Sequence, residues 1–332
     1  MYNFCTLFDS YYLAKGLILY RSLCNVCDDF CLYVFAFDDK CYAKLAALDL
    51  PKMKVISLKE LENEKLLEVK EKRTRAEYCW TCGPSAIWYA IQRFNLESCA
   101  YLDADLLFFH SPELLYREIN QNKASIAITE HFTEEENIGG RFCVQFVYFK
   151  NNNDGLSALE WWRDRCIEWC YAHYEDGKYG DQKYLDCFPS KFNNVHIIEN
   201  RGVGVAPWNM YQYQYLKDFN LIYKGKTYPI IFFHYHGIRI NVEKNKIILK
   251  AVTYDISTSL KKLFFEPFLI LYESVCECYL DVQITGFHVE KRMLHERLFS
   301  LVKKKLKGLK VIRKLYYAFN SQRYNGYETS PL

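Results

Sequence analysis

No uninterrupted apolar run in the 332 residues reaches the ~20 needed to cross a bilayer. The longest candidate, "LFFEPFLILY", is broken by Glu266 and Pro267. The opening "MYNFCTLFDSYY" lacks the basic start and long apolar core of a secretory segment. A cytoplasmic location is the expectation from these absences. Internal repeats and low-complexity linkers are also missing, which removes solenoids and tandem arrays from consideration. The 14 cysteines show no zinc-knuckle spacing. Cys24, Cys27 and Cys31 lie close in sequence, as do Cys79 with Cys82 and Cys166 with Cys170, but histidines are not placed to match them. Without a signal segment they read as reduced thiols, used as small buried hydrophobes.

What is present is apolar bulk. The chain is 50% hydrophobic and 17% aromatic, enough for one large α/β domain with an appendage, or for two domains. The net charge of +3 hides an asymmetry: residues 291–323 carry eleven Lys or Arg against Glu296 alone. The rest of the chain is mildly acidic. On a helical wheel Leu298, Val302, Leu306, Leu309, Ile312 and Tyr316 gather on one side, with Lys303, Lys304, Lys307, Lys310 and Lys314 mainly opposite. Lys305 and Arg313 break the pattern. Such a basic amphipathic tail suits an anionic membrane surface, at about 1 kcal/mol per basic residue near the lipid. No nucleic-acid-binding fold accompanies it, so nucleic acid is not the expected partner.

The first hundred residues alternate strand and helix. "YNFCTLF", "CLYVFAF" and "MKVISL" read as strands. Asp9 and Ser10 are placed to cap a helix through "YLAKGLILYRSL", and Asp38 and Asp39 open one at "KCYAKLAAL". "KELENEKLLEVKEK" reads as a charged helix, and "GPSAIWYAIQRF" as a helix with Pro84 in its first turn. Strands at "SIAIT" and "FCVQFVYFK", a long helix around "ALEWWRDRCIEWCYAHY", a strand at "YPIIFFHYH" and a hairpin at "IRINVEKNKIILKAV" follow. From about residue 252 the pattern turns helical. The βαβα rhythm predicts a mostly parallel sheet with helices on both faces, which binds ligands at the carboxyl ends of its strands.

"AYLDADLLFFH" sits at such an end. Asp103 and Asp105 share one face of an extended strand, and two like charges there repel unless something positive lies between them. A hard divalent cation that also touches phosphate answers that need. "FFHYHG" adds His234 and His236 on one strand face, with Gly237 permitting close backbone approach, and imidazole joined to carboxylates suits Mn²⁺. "YGDQKYLDCFP" puts Asp181 and Gln182 at the start of a short helix, as ligand contacts or as an ordinary cap. "GVGVAPWN" ends in Trp208 and Asn209, suited to a sugar face and its hydroxyls or to packing. "EKRTRAEYCW" offers Arg73 and Arg75 to a diphosphate or ribose, or to solvent.

Taken in order over residues 6–237, "TLFDSYYLAKGLILYRSL", "RTRAEYCWTCGPS", "YLDADLLFF", "VQFVYFKNN", "GDQKYLDCFP", "GVGVAPWN" and "FFHYHG" resemble the GT-A nucleotide-sugar glycosyltransferases. The likeness is to the bacterial nucleotide-diphospho-sugar transferases related to retaining lipooligosaccharide galactosyltransferases, of the family 8 kind. The resemblance implies a Rossmann-like catalytic domain over 1–251 and a helical, basic extension over 252–332. Thr6, Phe8 and Asp9 would then hold the nucleoside, and Arg73 and Arg75 the nucleotide-sugar. Asp103, Asp105 and His234 would bind Mn²⁺ or Mg²⁺, with Ala104 beside the ribose and Gly237 beside phosphate. Asp181 would meet the donor sugar's hydroxyls and Gln182 lie near its anomeric carbon. Trp208, Asn209 and His236 would contact sugar or acceptor.

The implied activity moves a sugar from a UDP-type donor to a hydroxyl of a bacterial surface glycan or glycolipid, on the inner face of the cytoplasmic membrane. Two segments depart from those relatives. Their lysine and Pro-Trp pair after the histidine motif become "GIRIN", where Arg239 stands nearest to the lysine. Their Asn-Ala-Gly sugar contact becomes Cys143-Val144-Gln145. A sugar-nucleotide pyrophosphorylase would need a glycine-rich phosphate loop after the first strand, and "TLFDSYY" has no glycine. Loss of the carboxylate pair would favour a non-catalytic nucleotide-sugar-binding protein of polysaccharide assembly, and its presence at Asp103 and Asp105 disfavours one.

Overall fold

A computed structural model describes residues 1–133, 137–243, 246–251, 254–280 and 286–289. The basic tail at 291–323 lies outside the described residues.

β1 (Tyr2–Phe8) is buried on both faces, as a central parallel strand must be. Phe4 and Phe8 enter one apolar cluster, Cys5 and Leu7 the other. α1 (Leu13–Val26) packs over Phe8, and Gly16 makes that possible: a Cβ there would lie 2.3 Å from the Phe8 ring. Asp9 and Ser10 do not cap α1 directly. Asp9 accepts from the N–H of Tyr11 and Tyr12, while the Ser10 hydroxyl and N–H donate to Asp38. β2 (Phe30–Ala36) leads to α2 (Asp39–Leu48), where Asp38 is the cap, as the sequence predicts. β3 (Met53–Ser57) follows.

Two expected helices are cut differently. The charged segment forms α3 (Leu58–Leu61) and α4 (Glu64–Lys70), because Ser57 with Glu60 and then Asn63 each start a helix of their own. α5 (Arg75–Phe94) begins well before Gly83 and carries Pro84 in its interior. Its start is set by the Thr74–Glu77 capping box, which outweighs the one helical hydrogen bond the proline forfeits.

β4 (Ser98–Leu102), β5 (Leu106–Phe108), α6 (Glu113–Gln121), β6 (Ile126–Glu130) and β7 (Phe142–Lys150) come next. α7 (Asn153–Glu168) stops short of the predicted end. Arg73 donates to the carbonyls of Cys166 and Ile167, a side-chain cap on the last turn, and Glu77 accepts from the N–H of Ala172 beyond it. A 3₁₀ turn over Gln182–Cys187, α8 (Phe188–Lys191) and β8 (Val195–Ile197) complete the main layer.

The seven strands run in the order β3-β2-β1-β4-β7-β6-β8, parallel except for β7. α1 lies on the face carrying Phe4, and α5 with α7 on the face carrying Cys5. This is the mostly parallel α/β sandwich that the alternation predicts.

A small antiparallel sheet of β9 (Gln214–Leu216), β10 (Asn220–Tyr223) and β11 (Lys226–Pro229) precedes β12 (Phe232–His234), which pairs with β5. The expected single strand at "YPIIFFHYH" is therefore two. Ile231 leaves the ladder and donates its N–H to Gly202, where a Cβ would come within 1.8 Å of the Pro229 oxygen. β13 (Ile238–Glu243) and β14 (Lys246–Ala251) form the predicted hairpin. α9 (Thr258–Val275) then packs Phe264, Phe265, Phe268 and Leu269 into the same apolar cluster as α1. β15 (Gly286–Val289) adds a parallel strand to β14 where a helical pattern is expected. No helix among the described residues is long and apolar enough to cross a membrane.

Candidate functional site

Asp103 follows β4 directly, and its N–H is fixed by the carbonyl of Gln145 on β7. Three residues on, β5 pairs antiparallel with β12 so that Leu106 faces His234. Tyr235 donates its N–H to the Asp105 carbonyl, and His234 donates its own to Val205. These backbone bonds bring the two sequence-distant motifs together. His234 Nε2 stands 3.0 Å from Asp105 Oδ1 and 3.6 Å from Asp103 Oδ2. Its other ring nitrogen, Nδ1, lies 2.9 Å from Gln145 Oε1, so that a donated N–H there turns Nε2 toward the carboxylates. Gly204, at φ +82°, leaves room for Gln145: a Cβ there would be 2.2 Å from Nε2 of that amide.

Three side chains that sequence reasoning left aside complete the cluster. Lys15, from α1, is buried and reaches Asp105 Oδ2 at 3.4 Å. Cys143, on β7, joins Asp103 and His234 in a group whose ligand atoms all lie within 4.8 Å of one another. His131 stands beside the Cys143 thiol and hydrogen-bonds the carbonyl of Arg141 through Nδ1. Lys15 leaves a weak signal in sequence, a lone charge in an apolar helix. Cys143 could be read only as a departure from the resembled motif.

Asp181 is buried nearby. Its carbonyl accepts from the Trp162 indole at 2.9 Å, and its carboxylate lies near Gly83 of α5. The side chain makes no cap hydrogen bond deeper into the turn it opens. Gln182 lies against the 139–140 loop, where a Cβ on Gly139 would strike its amide. Gly237 adopts φ +71°, in the left-handed region that glycine favours. Ala104 is buried between the two carboxylates.

Elsewhere the structure redirects the predicted residues. Arg73 is buried in capping α7, donates also to Thr81 and stacks over Tyr171 at 4.1 Å, contacts that tie it to the fold. Arg75 instead sits at the end of β1, bridging Asp9 and Asp38 at 2.7 Å each. Thr6 and the Phe8 ring are buried, the latter under α1, leaving Asp9 as the accessible member of that trio. Asn209 is spent internally: Oδ1 accepts from Ala206 N–H while Nδ2 donates to the His131 and Gly204 carbonyls. These bonds close a turn. Trp208 donates its indole N–H to the His131 carbonyl and places its ring edge-on to His131, His234 and His236. His236 Nδ1 is 2.9 Å from the Tyr254 hydroxyl. Glu130, a carboxylate at the end of β6, is ion-paired with Arg141.

The cluster is electrostatically tense without a cation. Burial, then the charge of Asp103, pushes Asp181 up to about 8. Burial lifts Asp103 to about 7, with Cys143 and Asp105 adding to it against His234. Burial would raise Asp105 too, but Lys15 and His234 hold it well below the carboxylate range. Burial would lower His234, yet Asp105 outweighs it and raises the ring to about 10. Burial and the neighbouring His234 lower His236 to about 4, keeping it neutral.

The folded values of Asp181 and His234 both exceed their unfolded ones, near 3.9 and 6.5. Each group's stabilisation is therefore full below its unfolded value and is lost as pH rises through the folded one. The expected result is a metal-free protein whose melting temperature falls between pH 6 and 9. The slope is at most about 1.4 kcal/mol per pH unit for each group. Thermal melts in chelator across that range check it, and Asp181→Asn should flatten the fall. An unchanged slope in that variant would contradict the burial of a titrating Asp181.

No family model matches the chain. It is 32% identical over 251 residues to the uncharacterised protein YfnD of Bacillus subtilis (strain 168), covering 73% of this chain and 80% of YfnD. A second protein of that strain, YfnF, is also 32% identical over 251 residues, covering 71% of this chain and 82% of YfnF. Among solved structures, the galactosyltransferase LgtC in complex with donor and acceptor sugar analogues aligns with a TM-score of 0.50 and 13% identity, over 82% of this chain and 95% of LgtC. At that identity the likeness is one of fold. The chain therefore belongs to the family of YfnD and YfnF, and its fold is of the GT-A glycosyltransferase type.

Proposed function

We propose that this protein is a metal-dependent glycosyltransferase that moves a sugar from a UDP-sugar to a hydroxyl of a surface glycan or glycolipid, with retention at the anomeric carbon. The observation that carries the reading is the convergence of Asp103, Asp105 and His234 at the carboxyl edge of a parallel sheet, with Asp181 buried beside them. The donor set fits a divalent cation: carboxylate oxygens and an imidazole already turned inward by Gln145. When bound, Mn²⁺ or Mg²⁺ supplies Lewis-acid neutralisation of the departing diphosphate, worth several kcal/mol as an order of magnitude.

The chain's own groups do the rest. Asp9, Asp38 and Arg75 frame the end of β1, where the nucleoside would lie. Gly237, without a side chain, admits a phosphate close to the backbone. Asp181 orients a donor hydroxyl, and in its neutral form it donates the hydrogen bond. Gln182 is too weak a nucleophile for a covalent intermediate, so retention requires attack from the leaving-group face. Trp208 and His236 border the acceptor side. The basic segment 291–323 would hold the enzyme on an anionic membrane, the cytoplasmic leaflet.

Screening UDP-, GDP- and CDP-sugars tests the donor. A UDP-sugar with Mn²⁺ is expected to raise the melting temperature and be hydrolysed slowly, with about 2.7 kcal/mol of stabilisation at 100 times Kd. Indifference to every sugar nucleotide, with and without metal, would refute the reading. For the membrane, sedimentation with phosphatidylserine vesicles should carry down the full chain and leave a chain lacking 291–332 in solution. Equal sedimentation of the two would remove the tail from the account.

A further inference from the structure

We propose that Cys143 is a ligand of the metal through its thiolate, so that the site prefers a borderline-soft divalent cation such as Zn²⁺ to Mg²⁺. This rests on the metal-dependent reading above and adds a donor that the resemblance does not supply.

The geometry points to it. One ligand atom each from Asp103, Cys143 and His234 falls within 4.8 Å of the other two. Around a tetrahedral ion with bonds of 2.0 to 2.3 Å, ligand atoms stand about 3.3 to 3.8 Å apart. Closing onto an ion therefore asks for side-chain movements of about an ångström. Cys143 reaches this place through an irregularity of β7: Ile128 of β6 faces Val147, but Thr129 faces Cys143. The strand thereby brings Cys143 to the cluster while Gln145, two residues on, holds the His234 ring.

Cys143 is buried, at 4% exposure, with the rings of His131 and His234 beside its thiol. His131 bonds the Arg141 carbonyl through Nδ1, and an N–H donated there leaves Nε2 to take the thiol proton when sulfur binds metal. That proton then passes to solvent. Lys15 occupies one oxygen of Asp105, which favours Asp103, Cys143 and His234 as the tighter trio and leaves the other Asp105 oxygen beside the His234 ring. Sulfur, imidazole and carboxylate together favour Zn²⁺ or Co²⁺ over Mg²⁺, a hard cation that takes oxygen.

X-ray absorption at the zinc edge on the full chain, loaded with one equivalent of Zn²⁺, reads the shell directly. A sulfur scatterer at about 2.3 Å beside nitrogen and oxygen near 2.0 to 2.1 Å is expected. It should vanish in Cys143→Ser and persist in Cys187→Ser, which alters an exposed cysteine. In competition titrations Cys143→Ser should lose at least about 10-fold in Zn²⁺ affinity, with a smaller change for Mn²⁺. A shell of nitrogen and oxygen alone in the wild type, or sulfur retained in Cys143→Ser, overturns the assignment while leaving the transferase reading intact. Failure of the wild type to bind Zn²⁺, Co²⁺ or Mn²⁺ sinks both. The wild-type spectrum decides the point even if the variant does not fold.

Discussion

Asp103→Asn is expected to abolish sugar transfer while making the metal-free protein more stable at pH 8. The loss follows from the function proposed above. With Asp103 as a metal ligand, its removal takes away both cation affinity and transition-state charge neutralisation, and the loss of a single electrostatic donor already costs about 10²- to 10³-fold. The gain follows from Asp103's raised value of about 7. At pH 8 the folded protein holds a charge that burial resists, and a neutral amide relieves it. The side chain keeps 29% exposure, so the relief is discounted for solvent to the order of 1 kcal/mol. Steady-state kinetics with the donor that the sugar-nucleotide screen selects and melts in chelator measure the two effects separately. If the variant both lost activity and melted much lower, Asp103 would be a structural residue and the proposed role would fall.

The second large effect concerns Lys15. Its ammonium is the buried partner of Asp105, with the two side chains 10% and 9% exposed. Removing one member of such a pair costs up to about 3 to 5 kcal/mol, less the part of the Asp105 charge that His234, 3.0 Å from its other oxygen, still balances. Lys15→Met should therefore lower the melting temperature strongly in chelator. Millimolar Mn²⁺ should recover much of that loss, because a cation at Asp103 and Asp105 supplies the missing positive charge. Melts with and without metal give the comparison. A deficit that metal leaves untouched would mean that the lysine stabilises packing, including its contact over the Tyr12 ring, and not the charge of the site.

The two halves of the cluster were legible in sequence because each rests on a local regularity. Asp103 and Asp105 follow a strand of unmistakable apolar character, and the His234–Gly237 turn has its own spacing. Local rules could not deliver the destination of long or amide side chains. Arg73 and Asn209 look like ligand groups along the chain, but nearby backbone carbonyls claim them. Lys15 and Cys143 escaped for a related reason. One depends on how α1 leans on β5, the other on a change of register in β7. The same limit applies to helix ends: Thr74 with Glu77 overruled the signal of Pro84.

One part of the architecture carries a practical meaning. Phe264 of α9 stacks on Phe233 at 4.2 Å and accepts a hydrogen bond from the Tyr235 hydroxyl at 2.5 Å. These are the residues on either side of His234, so the histidine rides on a floor built by sequence that comes after the last strand of the hairpin. Trimming the chain at residue 251 to isolate a catalytic unit would pull out that floor and let the imidazole drift. Any shortened version meant to keep its chemistry has to retain α9.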